Sequence, residues 1–326
     1  MRNHPALTAS LLLGVASLAV SPTQAAENAT GIYLLGTKSS MAGFVPPPGI
    51  YFIDVNYFYA GDARGNAAVG RALRRLEDRF PNLPPRTLNI QADVRLDADA
   101  AVTLPSVLWV APGKVLGGNV GFGTIGVFGR KSVDVDVDVL ATLTLPLLNE
   151  TIERSRRFHL DDSTTDLGDP LVNALIGWHE GNWHWNIGTL VNIPIGPWSK
   201  DSDTNLSFNH WGLDTAAAVT WLDPKIGLEL SSTAGFTFNW ENPETDYETG
   251  TEFHVEWAIV QHFSKTFALG VAGYHYQQIT GDSGAGARLG DFKGRVTALG
   301  PTLTYSFQLG KLPVSTQWSW FHEFDV

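Results

Sequence analysis

Residues 133–145 read VDVDVDVLATLTL. Val133, Val135, Val137, Val139, Ala141, Leu143 and Leu145 share one face of an extended chain, while Asp134, Asp136, Asp138, Thr142 and Thr144 share the other, with Leu140 the one breach. A period of two marks a β-strand, because successive side chains of the pleated backbone point to opposite sides. In a membrane barrel each strand runs for about ten residues and turns one side chain to lipid and the next to the lumen.

The pattern returns along the chain. Trp183, Trp185, Ile187, Val191 and Ile193 oppose His184, Asn186, Gly188 and Asn192. Phe253, Val255, Trp257, Ile259 and Phe263 oppose His254, Glu256 and His262, and Leu88, Ile90, Ala92, Val94 and Leu96 oppose Asn89, Gln91, Asp93 and Arg95. A soluble β-sandwich also alternates. Two features favour the barrel: Trp and Tyr gather near strand ends as in a lipid-facing girdle, and connections alternate between short and long, as periplasmic turns and external loops do.

The fold read from this is all-β, a transmembrane antiparallel β-barrel of about 12–14 strands. Thirteen strands are placed near 49–60, 87–98, 101–111, 118–129, 133–146, 170–180, 183–195, 211–222, 226–239, 251–263, 266–279, 294–308 and 312–324. The tight turns at Gly181-Asn182, Pro224-Lys225 and Ser264-Lys265 should be periplasmic, and the long connections at 196–210, 240–250 and 280–293 external. Between Asn66 and Phe80 the period changes: Val69, Leu73, Leu76 and Phe80 have helical spacing, stopped by Pro81, Pro84 and Pro85, which predicts a short helix in the first external loop.

The chain opens with Arg2, an apolar run from Ala6 to Val20 and the small-residue stretch ending in Ala25 and Ala26. That is the form of a cleavable export signal, too short to be read as a spanning helix, although a retained anchor is the alternative. The organisation expected is therefore a signal at 1–26, a periplasmic or lumenal segment at 27–48 and the barrel at 49–326. With 22 Lys plus Arg against 33 Asp plus Glu, the net charge of −11 argues against nucleic acid as a partner. The chain has no cysteine, so an exported protein of this length relies on packing or closure instead of disulfides.

Several motifs suggest chemistry and fail on inspection. Gly281-Asp282-Ser283-Gly284 resembles a serine-protease nucleophile signature, but no partner histidine context precedes it. Gly284, Gly286 and Gly290 do not lead a strand into a helix, so no phosphate cradle is expected. His179-Glu180 followed by His184 has the wrong spacing for a helical zinc site and contains a hairpin turn signal. Asp134, Asp136 and Asp138 suit either a divalent cation, a cation-favouring lumen or a plain solvated face. An outer-membrane phospholipase is the enzymatic alternative, but no Ser and His spacing singles out a pair, so no catalytic residue, cofactor or metal is assigned.

The segment Met41-Ala42-Gly43-Phe44-Val45-Pro46-Pro47-Pro48-Gly49-Ile50-Tyr51-Phe52, followed by Tyr57-Phe58-Tyr59 and Gly61-Asp62, is similar to the opening of an outer-membrane family. Its members are labelled proteins of the meta-pathway of phenol degradation, SphA-like proteins among them. Asn192-Ile193-Pro194-Ile195-Gly196, the stretch from Gly270 to Gln278 and Ala298-Leu299-Gly300-Pro301 extend the resemblance over nearly all of the mature chain. It implies an outer-membrane protein of a Gram-negative bacterium that helps small hydrophobic or aromatic compounds cross passively, with lipid and such a solute as partners. The alternative it leaves open is a structural or sphingoid-lipid-sensing barrel without a through channel.

On this reading the lumen is lined by Phe52, Asp54, Asn56, Phe58, Asp134, Asp136, Asp138, His184, Glu229, His254, Glu256, His262, Tyr274 and Tyr276. The N-terminal motif Gly43, Pro46, Pro47, Pro48 and Gly49 favours an extended strand entry, suited to a segment leaving the periplasm or lining the lumen. A count of thirteen conflicts with the even number of single-chain bacterial barrels. The sequence therefore predicts a missing closing strand, or else a closing role for Thr30 to Gly36.

Overall fold

The computed structural model describes residues 31–68, 87–145, 150–202, 204–287 and 293–324. They form one antiparallel sheet of fourteen strands: β1 Gly49–Ala68, β2 Thr87–Val115, β3 Gly118–Ile125, β4 Phe128–Leu145, β5 Glu150–Leu167, β6 Leu171–Glu180 and β7 Trp183–Asn192. The remainder are β8 Gly212–Asp223, β9 Leu228–Asn239, β10 Glu252–His262, β11 Phe267–Gln278, β12 Arg295–Leu309, β13 Leu312–Ser319 and β14 His322–Phe324. No helix among the described residues is long and apolar enough to cross a membrane.

Some strands are halves of one stave. β3 and β4 both pair with β2, β6 and β5 pair with β3 and β4 in turn, and β13 and β14 both pair with β12. The fourteen strands thus form eleven staves, from β1 at one edge to β13 and β14 at the other. The edges meet through side chains, since Tyr59 donates its hydroxyl to Glu323 at 3.4 Å. Among the described residues β1 has a ladder only with β2, and β13 and β14 only with β12.

The three tight turns and the long connections fall where the periodicity predicts them, all short turns at one end. Three differences stand out. The two strands expected at 87–98 and 101–111 are one 29-residue strand, because the alternation continues through Asp99 and Ala100 without a turn residue. β5 is absent from the sequence reading: ERSRRFHLDDS within it is polar on both parities and carries no period-two signal. Asn66–Ala68, expected to begin a helix, end β1 instead, and the rest of that expected helix lies outside the described residues.

Leu171 of β6 pairs with Asn192, the last residue of β7, while β5 and β4 continue beyond that level. β4 and β5 have 18 residues each and extend roughly 60 Å at the usual strand rise, twice the ~30 Å hydrocarbon thickness. With the far half of β1 and the near half of β2 they form a four-stranded arm projecting from the long-loop end. Val135 and Val137 are buried in it against Leu96, Val133, Val139 and Phe158.

In the barrel wall the outer face is apolar. Trp109, Phe122, Trp183, Ile187, Val219, Leu230, Phe236, Ile259, Val271, Leu299, Phe307 and Trp318 are all exposed there. The opposite face of β7 to β11 buries Asn186, Asp214, Thr220, Glu229, His254, Glu256 and Tyr274. Residues 31–48 run along this inner face, which accounts for the burial of so much polar surface.

Candidate functional site

The N-terminal segment is fitted to the wall, beyond merely lying near it. A β-carbon on Gly43 would collide with the His184 carbonyl oxygen and the backbone nitrogen of Thr220, so only glycine permits this close approach. At Gly212 the wall leaves room for the tip of the Ile32 side chain, which a β-carbon there would displace. Ile32, Ala42 and Val45 are each at most 5% exposed, and Val45 packs with Leu108 and Val110 of β2. Thr30 to Gly36 was an alternative closing strand; its described part, Gly31–Gly36, instead forms turns inside the sheet.

Two inward carboxylates hold the segment by its backbone. Glu256 accepts the amides of Gly36 and Lys38, both at 2.9 Å. Glu229 accepts the amide of Met41 at 2.7 Å, the hydroxyls of Ser40 and Ser231, and faces His262 Nε2 at 2.7 Å. Gly43 donates to Thr220 Oγ1 at 2.9 Å, and Asn186 donates to the Ala42 carbonyl at 2.8 Å. Hydrogen bonds to charged groups contribute about 1.5–3 kcal/mol each, so these contacts together form a firm seat.

Further along β10, His254 Nε2 lies 2.7 Å from Asp214 Oδ2, an oxygen that also accepts the Thr237 hydroxyl at 2.9 Å. Tyr33 of the segment stacks on the His254 ring, with centroids 3.8 Å apart and planes 15° from parallel. His254 Nδ1 is buried without a hydrogen-bond partner, and the Tyr33 hydroxyl is buried beside Glu256 without well-formed hydrogen-bond geometry. Tyr276 donates to Glu252 at 2.7 Å and Tyr274 to Glu323 at 2.6 Å.

Residues 77–326 match the family described as "Putative MetA-pathway of phenol degradation". The chain belongs to that family. Among solved structures, the crystal structure of the COG4313 outer membrane channel from Pseudomonas putida F1 has the same fold, with a TM-score of 0.53. The two share 14% identity over 87% of this chain and 90% of that one. No curated protein matches the chain.

In this MetA-pathway family chain, seven of the fourteen residues expected to line the lumen are on the inner face: His184, Glu229, His254, Glu256, His262, Tyr274 and Tyr276. The other seven are placed differently. Phe52, Asp54, Asn56 and Phe58 pair with Val107, Pro105, Thr103 and Ala101, the outward set of β2, so they face away from the lumen. Phe52 and Phe58 are 84% and 78% exposed. The inward residues of β1 are the odd ones, Tyr51, Ile53, Val55, Tyr57 and Tyr59, a one-residue shift of parity.

Asp134, Asp136 and Asp138 also face outward. Val135 pairs with Leu96 on the parity that continues to the inward Leu104, Leu108 and Val110, leaving the aspartates on the outer side of the arm. There Arg157 donates to Asp138 through Nε at 2.7 Å and Nη2 at 3.1 Å, holding that carboxyl below the usual range. His159 Nδ1 lies 3.2 Å from Asp136 and 3.6 Å from Asp134, and these three groups offer ligand atoms within 4.8 Å of one another. His159 sits on β5, the strand without a sequence signal, so no spacing reveals this cluster.

At the short-turn end the hairpin of β6 and β7 sets His179 opposite His184, with their Nδ1 atoms 2.7 Å apart. His179 Nε2 donates to the Val45 carbonyl at 3.0 Å, so in its neutral form its Nδ1 accepts from His184. Phe44 lies against both rings. The sequence signal for this pair is an i, i+5 spacing across a two-residue turn. From there Pro46, Pro47 and Pro48 lead out to Gly49 and β1, with Tyr51 donating to the Pro47 carbonyl at 2.7 Å. Asp282 of the serine-protease-like motif ties the long connections together: it accepts the Tyr247 hydroxyl, the Gly250 amide and the Gln278 amide group.

Proposed function

We propose that this protein is an outer-membrane channel for passive uptake of small hydrophobic or aromatic molecules, held closed by its own N-terminal segment. The apolar outer face suits lipid, and the short-turn and long-loop ends suit the periplasm and the outside. The observation that carries the reading is the seat of residues 31–48 on the inner wall, through Glu229 and Glu256. A wall built only for strength gains nothing from buried carboxylates whose partners are the amides of a detachable strap. Once the strap leaves, the same carboxylates line a water-filled path with Tyr274 and Tyr276 beside them.

The test is conductance in planar bilayers, together with swelling of liposomes in neutral sugars and aromatic solutes. Glu229→Gln with Glu256→Gln keeps the side-chain shape but removes two charges that hold the strap. At about 1.5–3 kcal/mol for each charged hydrogen bond weakened, the open fraction should rise by roughly tenfold or more. A protein that inserts correctly yet passes no solute in either form would instead be a barrel without a through path.

A further inference from the structure

Tyr33 is chemically a p-cresol tethered to a backbone, and it stacks on the buried His254 ring of the inner wall. His254 is 1% exposed, and its plane is fixed by Asp214, which Thr237 holds in turn. These groups come from β8, β9 and β10, so the platform is rigid and independent of the strap. Opposite His254 on β9 stands Gly235, where a β-carbon would strike the imidazole, so the neighbouring strand leaves the ring its room. The Tyr33 ring lies on this platform in close parallel stacking.

Resting on the channel reading above, we propose that His254, Asp214 and Glu256 form a binding subsite for a neutral phenol, and that Tyr33 is its built-in occupant. The fit of Tyr33 is good in its ring and poor in its hydroxyl. The hydroxyl lies beside the Glu256 carboxylate without the geometry of a well-formed hydrogen bond, and His254 Nδ1 has no partner. The tether explains the misfit: Ile32 is locked against Gly212 on one side, and the amides of Gly36 and Lys38 are pinned to Glu256 on the other. A free phenol carries no such constraint, and its ring can slide on the imidazole until its hydroxyl donates to Glu256. A carboxylate has about four lone-pair sites, and two amides do not exhaust them.

The surroundings set the chemical class. Asp214 on β8 and Glu252 and Glu256 on β10 are all buried, three carboxylates with the Lys38 ammonium near two of them, so an aromatic carboxylate is disfavoured where a neutral phenol is accepted. A ring without a hydroxyl keeps the stacking but leaves Glu256 unanswered. Occupation by solute and by Tyr33 is mutually exclusive, so a phenol that takes the platform also loosens the strap.

Binding of p-cresol, toluene and p-toluate to the detergent-solubilised full chain, measured by calorimetry, tests this. Tyr33→Ala vacates the platform and should bind p-cresol at least tenfold more tightly than the wild type, with toluene weaker and p-toluate weakest. Adding His254→Leu to Tyr33→Ala should abolish the gain, and Glu256→Gln should narrow the gap between p-cresol and toluene. Heat-modifiable gel mobility checks that each variant is folded. Equal p-cresol affinity in wild type and Tyr33→Ala, or no preference for p-cresol over toluene in Tyr33→Ala, overturns the proposal. Sugar-driven swelling of liposomes carrying Tyr33→Ala reads the through path alone, so a failed channel is distinguished from a failed phenol subsite.

Discussion

In β10 the polar side chains Glu252, His254 and Glu256 face inward and Ile259 faces outward, whereas in β4 Asp134, Asp136 and Asp138 face outward and Val135 and Val137 inward. Both strands alternate with the same period. On the proposed membrane placement the medium outside them differs: β10 is backed by lipid and β4, on the projecting arm, by water. The inside differs as well, since β10 faces a polar strap and the arm faces only its own valines and their neighbours. Period therefore fixes which residues share a side, and the height of a strand relative to the bilayer decides what each side must be made of.

The largest test of this contrast is a pair of arginine substitutions on the outer face. Ile259→Arg places a charge against lipid and should cost about 2–4 kcal/mol near the midplane. Asp136→Arg on the arm should change global stability by less than about 0.5 kcal/mol. Urea unfolding from lipid vesicles compares them, and equal losses would mean the arm is membrane-embedded.

A smaller effect is expected inside the arm. Val137→Ala removes buried methyl groups at a site only 5% exposed and should cost about 1–3 kcal/mol, confined to the arm. Hydrogen exchange should rise in β4 and β5 while β8 to β11 stay protected. Uniformly faster exchange would show that arm and wall unfold as one unit.

These contrasts explain what the sequence disclosed. The hairpins from β6 to β12 are legible because each face meets a uniform medium, and their tight turns carry Gly, Pro and Lys in the expected places. The inward set of β10 and β11 follows from the same regularity. β1 misled because both its parities are rich in large apolar residues: Phe52 and Phe58 on one, Tyr51, Ile53, Tyr57 and Tyr59 on the other. The strap as a ligand of the wall could not be read, because Glu229 and Glu256 are far from Met41 and Lys38 in sequence and meet backbone amides, which leave no residue signature.

The smallest effect concerns Arg157 and Asp138. Pairing lowers the Asp138 pKa, so its contribution is present above the ordinary carboxylate range and fades as pH falls through the lowered value. Arg157→Ala should bring the Asp138 titration back up towards that ordinary range, seen by NMR, with wild type and variant converging in acid. An unmoved titration would mean that the pair does not persist in solution.

The strap is joined to β1 through Pro46, Pro47 and Pro48, only a few residues from its last contact with the wall at Val45. Its local concentration at the seat is therefore set by the leash, independent of how many molecules the membrane holds; for short flexible linkers such values reach the millimolar range. A free solute competes against that standing concentration and displaces the strap appreciably only above a comparable level, corrected for its better or worse fit. If the strap closes the channel as proposed, the membrane would leak little when such compounds are scarce and admit them as they accumulate, with a threshold written into the length of a leash.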